Sequence, residues 1–177
     1  MRREIRIAGF GGQGVITVGI LLAKATGEFR RQYVAQTQSY GPESRGGACK
    51  TDVVISDDEI DYIKPVALDW LLAMSQPALD RYGPELGAQG KLLVDSSLVT
   101  SIPERFAVML RIPATNLADK ELEFPVAANV VMFGALAKVT GWVDAEACLQ
   151  AISGTVPAKV LEKNTQAFHL GYTYAFS

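Results

Sequence analysis

The stretch GFGGQGV, residues 9–15, carries glycine at positions 9, 11, 12 and 14. Ordering glycine costs more chain entropy than ordering any other residue, so four within one short stretch mean that the backbone itself is being used. Residues 4–8 before it, EIRIA, alternate in polarity and predict a short strand. Residues 15–24 after it, VITVGILLAK, are apolar on nearly every side and predict a buried helix, with Gly27 as a stop. Strand, glycine loop and buried helix make the opening of a βαβ unit.

Working outward, RQYVAQTQ (31–38) predicts a second strand and SYGPESRGG (39–47) a loop. ACKTDVVIS (48–56) predicts a strand, and Asp57 and Asp58 turn the chain. Residues 66–97 read as strand (LDWLLAM), helix, turn between Gly87 and Gly90, and strand (KLLVD). RFAVMLRIP (105–113) is a further strand. The pattern then becomes helical over 125–141, over 144–153 with Asp144 as N-cap, and over 157–174 with Pro157 in the first turn. The expectation is an α/β fold: one three-layer domain over residues 1–177, a mostly parallel or mixed sheet, a Rossmann-like βαβ start and a helical C-terminal third.

Composition narrows the function. Apolar residues make up 49%, charged residues 20%, and the net charge is −2, so no basic surface for nucleic acid is expected. No apolar run reaches the roughly 20 residues needed to span a bilayer, and the first residues enter a strand without a signal-peptide core. The expected location is the cytoplasm. Cys49 and Cys148 are the only cysteines and His169 the only histidine. A reduced cysteine pair is expected, and neither a metal site nor an iron–sulfur cluster built by this chain alone.

Gly9, Gly11 and Gly14 satisfy the spacing of a dinucleotide-binding loop, in which backbone N–H groups at a helix start meet a pyrophosphate. The carboxylate expected at the end of the second strand, to hold ribose hydroxyls, is absent: Tyr33 to Gln38 contain none. No Gly-Lys-Ser/Thr follows, so the loop is not a P-loop. Three readings stay open: a phosphate-bearing ligand other than NAD, a neighbouring subunit's cofactor, or a tight turn with no ligand.

SYGPESRGG is the second constellation. Arg45 offers a planar fork to a carboxylate or phosphate, and Tyr40 can stack or donate. The competing reading is an ordered surface loop with a Glu43–Arg45 pair. Both glycine-bearing loops are expected on the side of the sheet where ligands bind, at the carboxyl ends of the strands. Asp95, Ser96 and Ser97 reach the same edge but read as a cap, Asn129 as a polar residue meeting a loop or satisfied internally, Cys49 as a small buried strand residue, and His169 as a surface or packing residue.

GFGGQGV, SYGPESRGG, SDDEIDY (56–62) and LLVDSSLV (92–99), in this order and with AANVVMFGALAKVTG and the C-terminal helix, resemble the gamma subunit of the 2-oxoacid:ferredoxin (or acceptor) oxidoreductases. The likeness runs nearly end to end. It implies a subunit of an enzyme that decarboxylates pyruvate, 2-oxoglutarate or a branched 2-oxoacid to an acyl-CoA, with 2-oxoglutarate favoured. Thiamine diphosphate, Mg and the iron–sulfur clusters would belong to partners: alpha, beta and a ferredoxin-like delta subunit, with ferredoxin as acceptor. The resemblance places Gly11, Gly12, Gln13 and Gly14 in the first family motif and Tyr40, Gly41, Glu43, Arg45, Gly46 and Gly47 in the second. It implies coenzyme A contacts there, with Glu43 fixing Arg45, and no catalytic side chain on this chain. A homodimer of the isolated chain fits this reading. The alternative is a stand-alone nucleotide-binding or scaffold protein of the same fold.

Overall fold

The computed structural model describes residues 1–40, 48–106 and 108–176. Six strands form one mixed sheet: β1 (Arg2–Phe10), β2 (Tyr33–Ser39), β3 (Ala48–Ser56), β4 (Trp70–Ala73), β5 (Lys91–Asp95) and β6 (Val108–Ile112), in the order β2-β3-β1-β4-β5-β6. β1, β4, β5 and β6 run parallel, while β3 is antiparallel to both β1 and β2. The helices are α1 (Val15–Gly27), α2 (Gln76–Tyr82), α3 (Ala114–Lys120), α4 (Ala128–Thr140), α5 (Ala145–Ser153) and α6 (Leu161–Tyr172).

The expected α/β architecture with a helical last third is the one observed. One detail departs from the Rossmann pattern. β1, α1 and β2 do form a crossover, but β3 lies between the two strands instead of β2 lying beside β1. α3 was not expected at all: its seven residues, ATNLADK, are too few to show a helical period. The predicted helix over 125–141 opens with a 3-10 turn at Pro125–Ala127, and the one over 157–174 with another at Ala158–Val160.

Alternation along the strands builds two cores. Ile5, Ile7, Val53, Ile55, Leu72 and Leu93 face the layer of α1 and α4. Ala8, Leu71, Ala73, Leu92 and Val94 face the thinner layer of α2, with Leu79 and Tyr82. The polar positions of EIRIA do not face solvent. Glu4 and Arg6 are 3% and 5% exposed on the α2 side. Arg6 forms a two-pronged pair with Asp52 (2.7 and 2.9 Å) and a further bond to Glu85. Glu4 accepts the N–H groups of Val66 and Ala67, both at 2.6 Å, and so straps the irregular chain after β3 onto the sheet. Buried charge is tolerated here because each group has its partner.

α4 is buried from Ala128 to Ala137 and crosses α6 at a pair of glycines. A Cβ added to Gly171 would lie 1.8 Å from the Val131 carbonyl oxygen, and one on Gly134 would lie 2.1 Å from that of Phe168. Glycine inside a helix normally costs about 1 kcal/mol relative to alanine. Here it lets two backbones touch, with Phe133 and Phe168 packed beside the crossing at 5.8 Å between ring centroids. Asp144 caps α5 as expected, accepting from the Ala147 N–H at 3.0 Å.

Candidate functional site at the carboxyl edge of the sheet

β1 ends at Phe10, and the glycine loop turns the chain into α1. The Gln13 N–H donates to the Phe10 carbonyl (3.2 Å), closing a tight turn. The Gln13 side chain then latches the loop: its Oε1 accepts from the Phe10 N–H (2.6 Å) and its Nε2 donates to the Met74 carbonyl at the end of β4 (3.0 Å). Gln13, expected as a ligand contact, holds two strand ends together.

The glycines divide by reason. Gly12 has φ +95° and Gly14 φ +72°, left-handed conformations that disfavour side chains. Gly9 has no room, since an added Cβ would sit 2.5 Å from Gln13 Oε1. Gly11 has neither constraint: it is exposed, its φ is not positive, and a Cβ there would meet nothing within 4 Å. Nothing in the described chain requires glycine at position 11.

Gly14 is the N-cap of α1, which has no side-chain cap; α4, whose start lies next to it, has none either. Asn129 joins them, donating from Nδ2 to the Gly14 carbonyl at 3.3 Å. This is the internally satisfied amide of the two readings. Asp95, at the end of β5, accepts from the Ser97 N–H (3.0 Å) and from the Thr115 N–H and hydroxyl (3.1 and 2.6 Å). It caps the loop and the start of α3, as its sequence context suggested.

Between these ends lies a cavity of about 300 Å3, lined in part by Gly12, Gln13, Met74, Thr115, Val126 and Ala128. Among the described residues, no titratable side chain lines it. Its rim carries exposed apolar groups, with Val126 at 72% and Leu98 at 40% exposure. The sequence reading missed Val126 and Leu98; an apolar residue in a Pro-Val-Ala helix entry signals nothing by itself. Its described lining suits binding rather than proton transfer, with apolar walls and, at α1, a helix start without a side-chain cap that favours negative charge.

Tyr40 is 68% exposed just past the end of β2. Ala48 pairs with Phe10, and Ser39 with Lys50, so the chain leaves β2 and re-enters β3 at the end of the sheet where the glycine loop sits. Gly41, Glu43, Arg45, Gly46 and Gly47 lie outside the described residues. Both thiols are free and buried, and burial pushes Cys148 up to about 12 and Cys49 above its ordinary range. His169 is exposed on α6, its ring edge-on to Phe168. Among the described residues, no group of three or more His, Cys, Asp or Glu could hold a metal ion.

Residues 4–174 match the family described as pyruvate ferredoxin/flavodoxin oxidoreductase. The chain belongs to that family. Two relatives, both called 2-oxoglutarate synthase subunit KorC, are similar nearly end to end. The one from Methanothermobacter marburgensis is 49% identical over 97% of this chain and 95% of its own length. The one from Methanocaldococcus jannaschii is 45% identical over 99% of this chain and 95% of its own. The crystal structure of the keto/oxoacid ferredoxin oxidoreductase gamma subunit from Geobacter sulfurreducens superposes with a TM-score of 0.89, at 40% identity over 97% of this chain and 95% of that one. The resemblance to gamma subunits drawn from the motifs is borne out. Within the oxidoreductase family this is a gamma-type chain.

Proposed function

We propose that this chain is the gamma subunit of a 2-oxoacid:ferredoxin (acceptor) oxidoreductase that converts 2-oxoglutarate to its acyl-CoA. One observation carries the reading: the 45–49% identity, nearly end to end, with chains called 2-oxoglutarate synthase subunits. In this reading the chain supplies subunit packing and contacts to coenzyme A, and partner alpha, beta and ferredoxin-like delta subunits supply thiamine diphosphate, Mg and the iron–sulfur clusters. The assembly works in the cytoplasm with ferredoxin as acceptor. Among the described residues no helix is long and apolar enough to cross a membrane.

The carboxyl edge supports the division of labour. The described lining of the cavity, which carries no titratable group, can hold and orient a ligand, while carbanion chemistry requires a cofactor that acts as electron sink. Gly11, Gly12, Gly14 and Tyr40, with Glu43, Arg45, Gly46 and Gly47 of the neighbouring motif, are the residues assigned to coenzyme A; Gln13 acts through the loop it latches. A stand-alone dinucleotide-binding role fits poorly. β3 separates the end of β2 from β1 by two strand spacings, about 10 Å, so a ribose on the glycine loop would meet the start of β3 and not the carboxyl end of β2.

The test is anaerobic affinity purification of the tagged chain from its own cells, followed by dye reduction with 2-oxoglutarate or pyruvate and varied coenzyme A. Recovery of thiamine- and cluster-bearing partners with 2-oxoglutarate- and coenzyme A-dependent activity is expected. Arg45→Ala should raise KM for coenzyme A while the assembly stays intact. A chain recovered alone and inactive would overturn the reading.

A further inference from the structure

β2 is the outermost strand on one side of the sheet, and all seven of its residues pair in register with β3. Its other edge meets no strand among the described residues. Exposed edges are usually guarded by charge, proline or a bulge, because unpaired N–H and C=O groups recruit other chains. β2 reads YVAQTQS, with no charge, no proline and no positive φ. Nothing in its sequence discourages a further strand.

Both faces of this edge are grooved. On the α1 side a cavity of about 340 Å3 is lined by Val34 and Gln36 of β2 with Ile20, Ala23 and Lys24 of α1. On the opposite side a cavity of about 370 Å3 runs along Thr37 and Ser39, with Arg6, Lys50 and Lys64. Successive side chains of a strand point to opposite faces. A strand laid along β2 would therefore send alternate side chains into the two grooves while its backbone completed the ladder.

Charge selects the occupant. The second groove is lined by three cations and one carboxylate, Asp52. Arg6 and Lys50 both pair with Asp52, at 2.7 and 3.3 Å, and Arg6 pairs also with Glu85. Lys64 is exposed and forms no ion pair among the described residues. The groove is therefore complementary to a carboxylate. A second copy of β2 has none to offer. We propose that the free edge of β2 accepts an extended segment of a partner subunit, added as a seventh strand, with a carboxylate directed at Lys64. This rests on the subunit reading above.

The experiment is hydrogen–deuterium exchange over residues 33–39, in the isolated chain and in the co-purified assembly. The outward amides of β2 are expected to exchange freely in the isolated chain and at least ~10-fold more slowly in the assembly. Lys64→Glu is expected to lower partner recovery at least ~10-fold at low salt, with Lys64→Arg restoring it. Fast exchange in both states overturns the inference and leaves the subunit reading intact. Slow exchange in the isolated monomer overturns it too, because the chain would then cover its own edge. Slow exchange together with a doubled mass would hand the edge to a second copy. Recovery of no partner subunit removes the subunit reading and this inference with it.

Discussion

The side-chain nitrogen of Asn129, at the start of α4, donates to the carbonyl oxygen of Gly14, the N-cap of α1, at 3.3 Å. The same nitrogen would lie 2.3 Å from a Cβ at position 14, where φ is +72°. Gly14→Ala is therefore expected to cost about 2–3 kcal/mol, combining left-handed strain with a displaced hydrogen bond. Asn129→Ala should cost about 1 kcal/mol. Urea unfolding of both variants and the double variant checks the coupling: alanine at 14 should cost less once Asn129 is gone. Strict additivity would show that the two do not interact.

Gly11 is the loop glycine that the described fold does not need, so Gly11→Ala should leave stability unchanged within about 0.5 kcal/mol. Its effect should fall on KM for coenzyme A or on partner recovery. Gly9→Ala should do the reverse. Its Cβ meets Gln13 Oε1 at 2.5 Å and a Val15 methyl at 2.9 Å, and overpacking of this kind costs about 1–3 kcal/mol. Wild-type behaviour of Gly11→Ala in every assay would leave the loop a tight turn and nothing more.

The α4–α6 crossing predicts the most damaging conservative change. Gly171→Ala drives a methyl into the Val131 carbonyl, a rigid backbone group, and the helices must separate. A loss of about 3 kcal/mol is expected, lowering Tm by roughly 6–12 °C in a chain of this size. Calorimetry would decide it. A shift below 2 °C would mean that the two helices slide apart at little cost.

Arg30 and the Ala147 N–H hold the Asp144 carboxyl down at about 2, with the Arg30 hydrogen bonds the larger cause. A carboxyl depressed in the folded state stabilises above its unfolded value near 3.9, and that contribution is lost as pH falls through the folded value. Asp144→Asn should therefore lower stability at neutral pH and converge with the wild type between about pH 4 and pH 2. Asn caps a helix as well as Asp, so the pH-dependent gap belongs to the half-exposed Arg30 pair and stays below about 1 kcal/mol, shrinking further in salt. Equal gaps at pH 7 and pH 2 would contradict this assignment.

The local pattern of residues determined a large part of this protein. GFGGQGV marked a strand-to-helix turn, ACKTDVVIS matched β3 end to end, and DAEACLQAIS with Asp144 matched α5 and its cap. Motif order also pointed to the family, because the two glycine segments with SDDEIDY and LLVDSSLV form a specific combination. These features depend on neighbours in sequence: period, cap chemistry and turn-forming residues.

Tertiary structure decided what depends on neighbours in space. That β3 inserts between β1 and β2 follows from which strand edges find partners, which no local period encodes. That Glu4 and Arg6 are buried follows from Asp52, Glu85 and the chain around Val66 closing over them, although their alternation reads as a solvent face. The cavity at the carboxyl edge joins residues from 12 to 128, and its apolar rim appears only when the strand ends and helix starts converge. Gly11 and Gly14 look alike in the motif. Only the position of Asn129 and the sign of φ separate the glycine the fold requires from the one left facing outward.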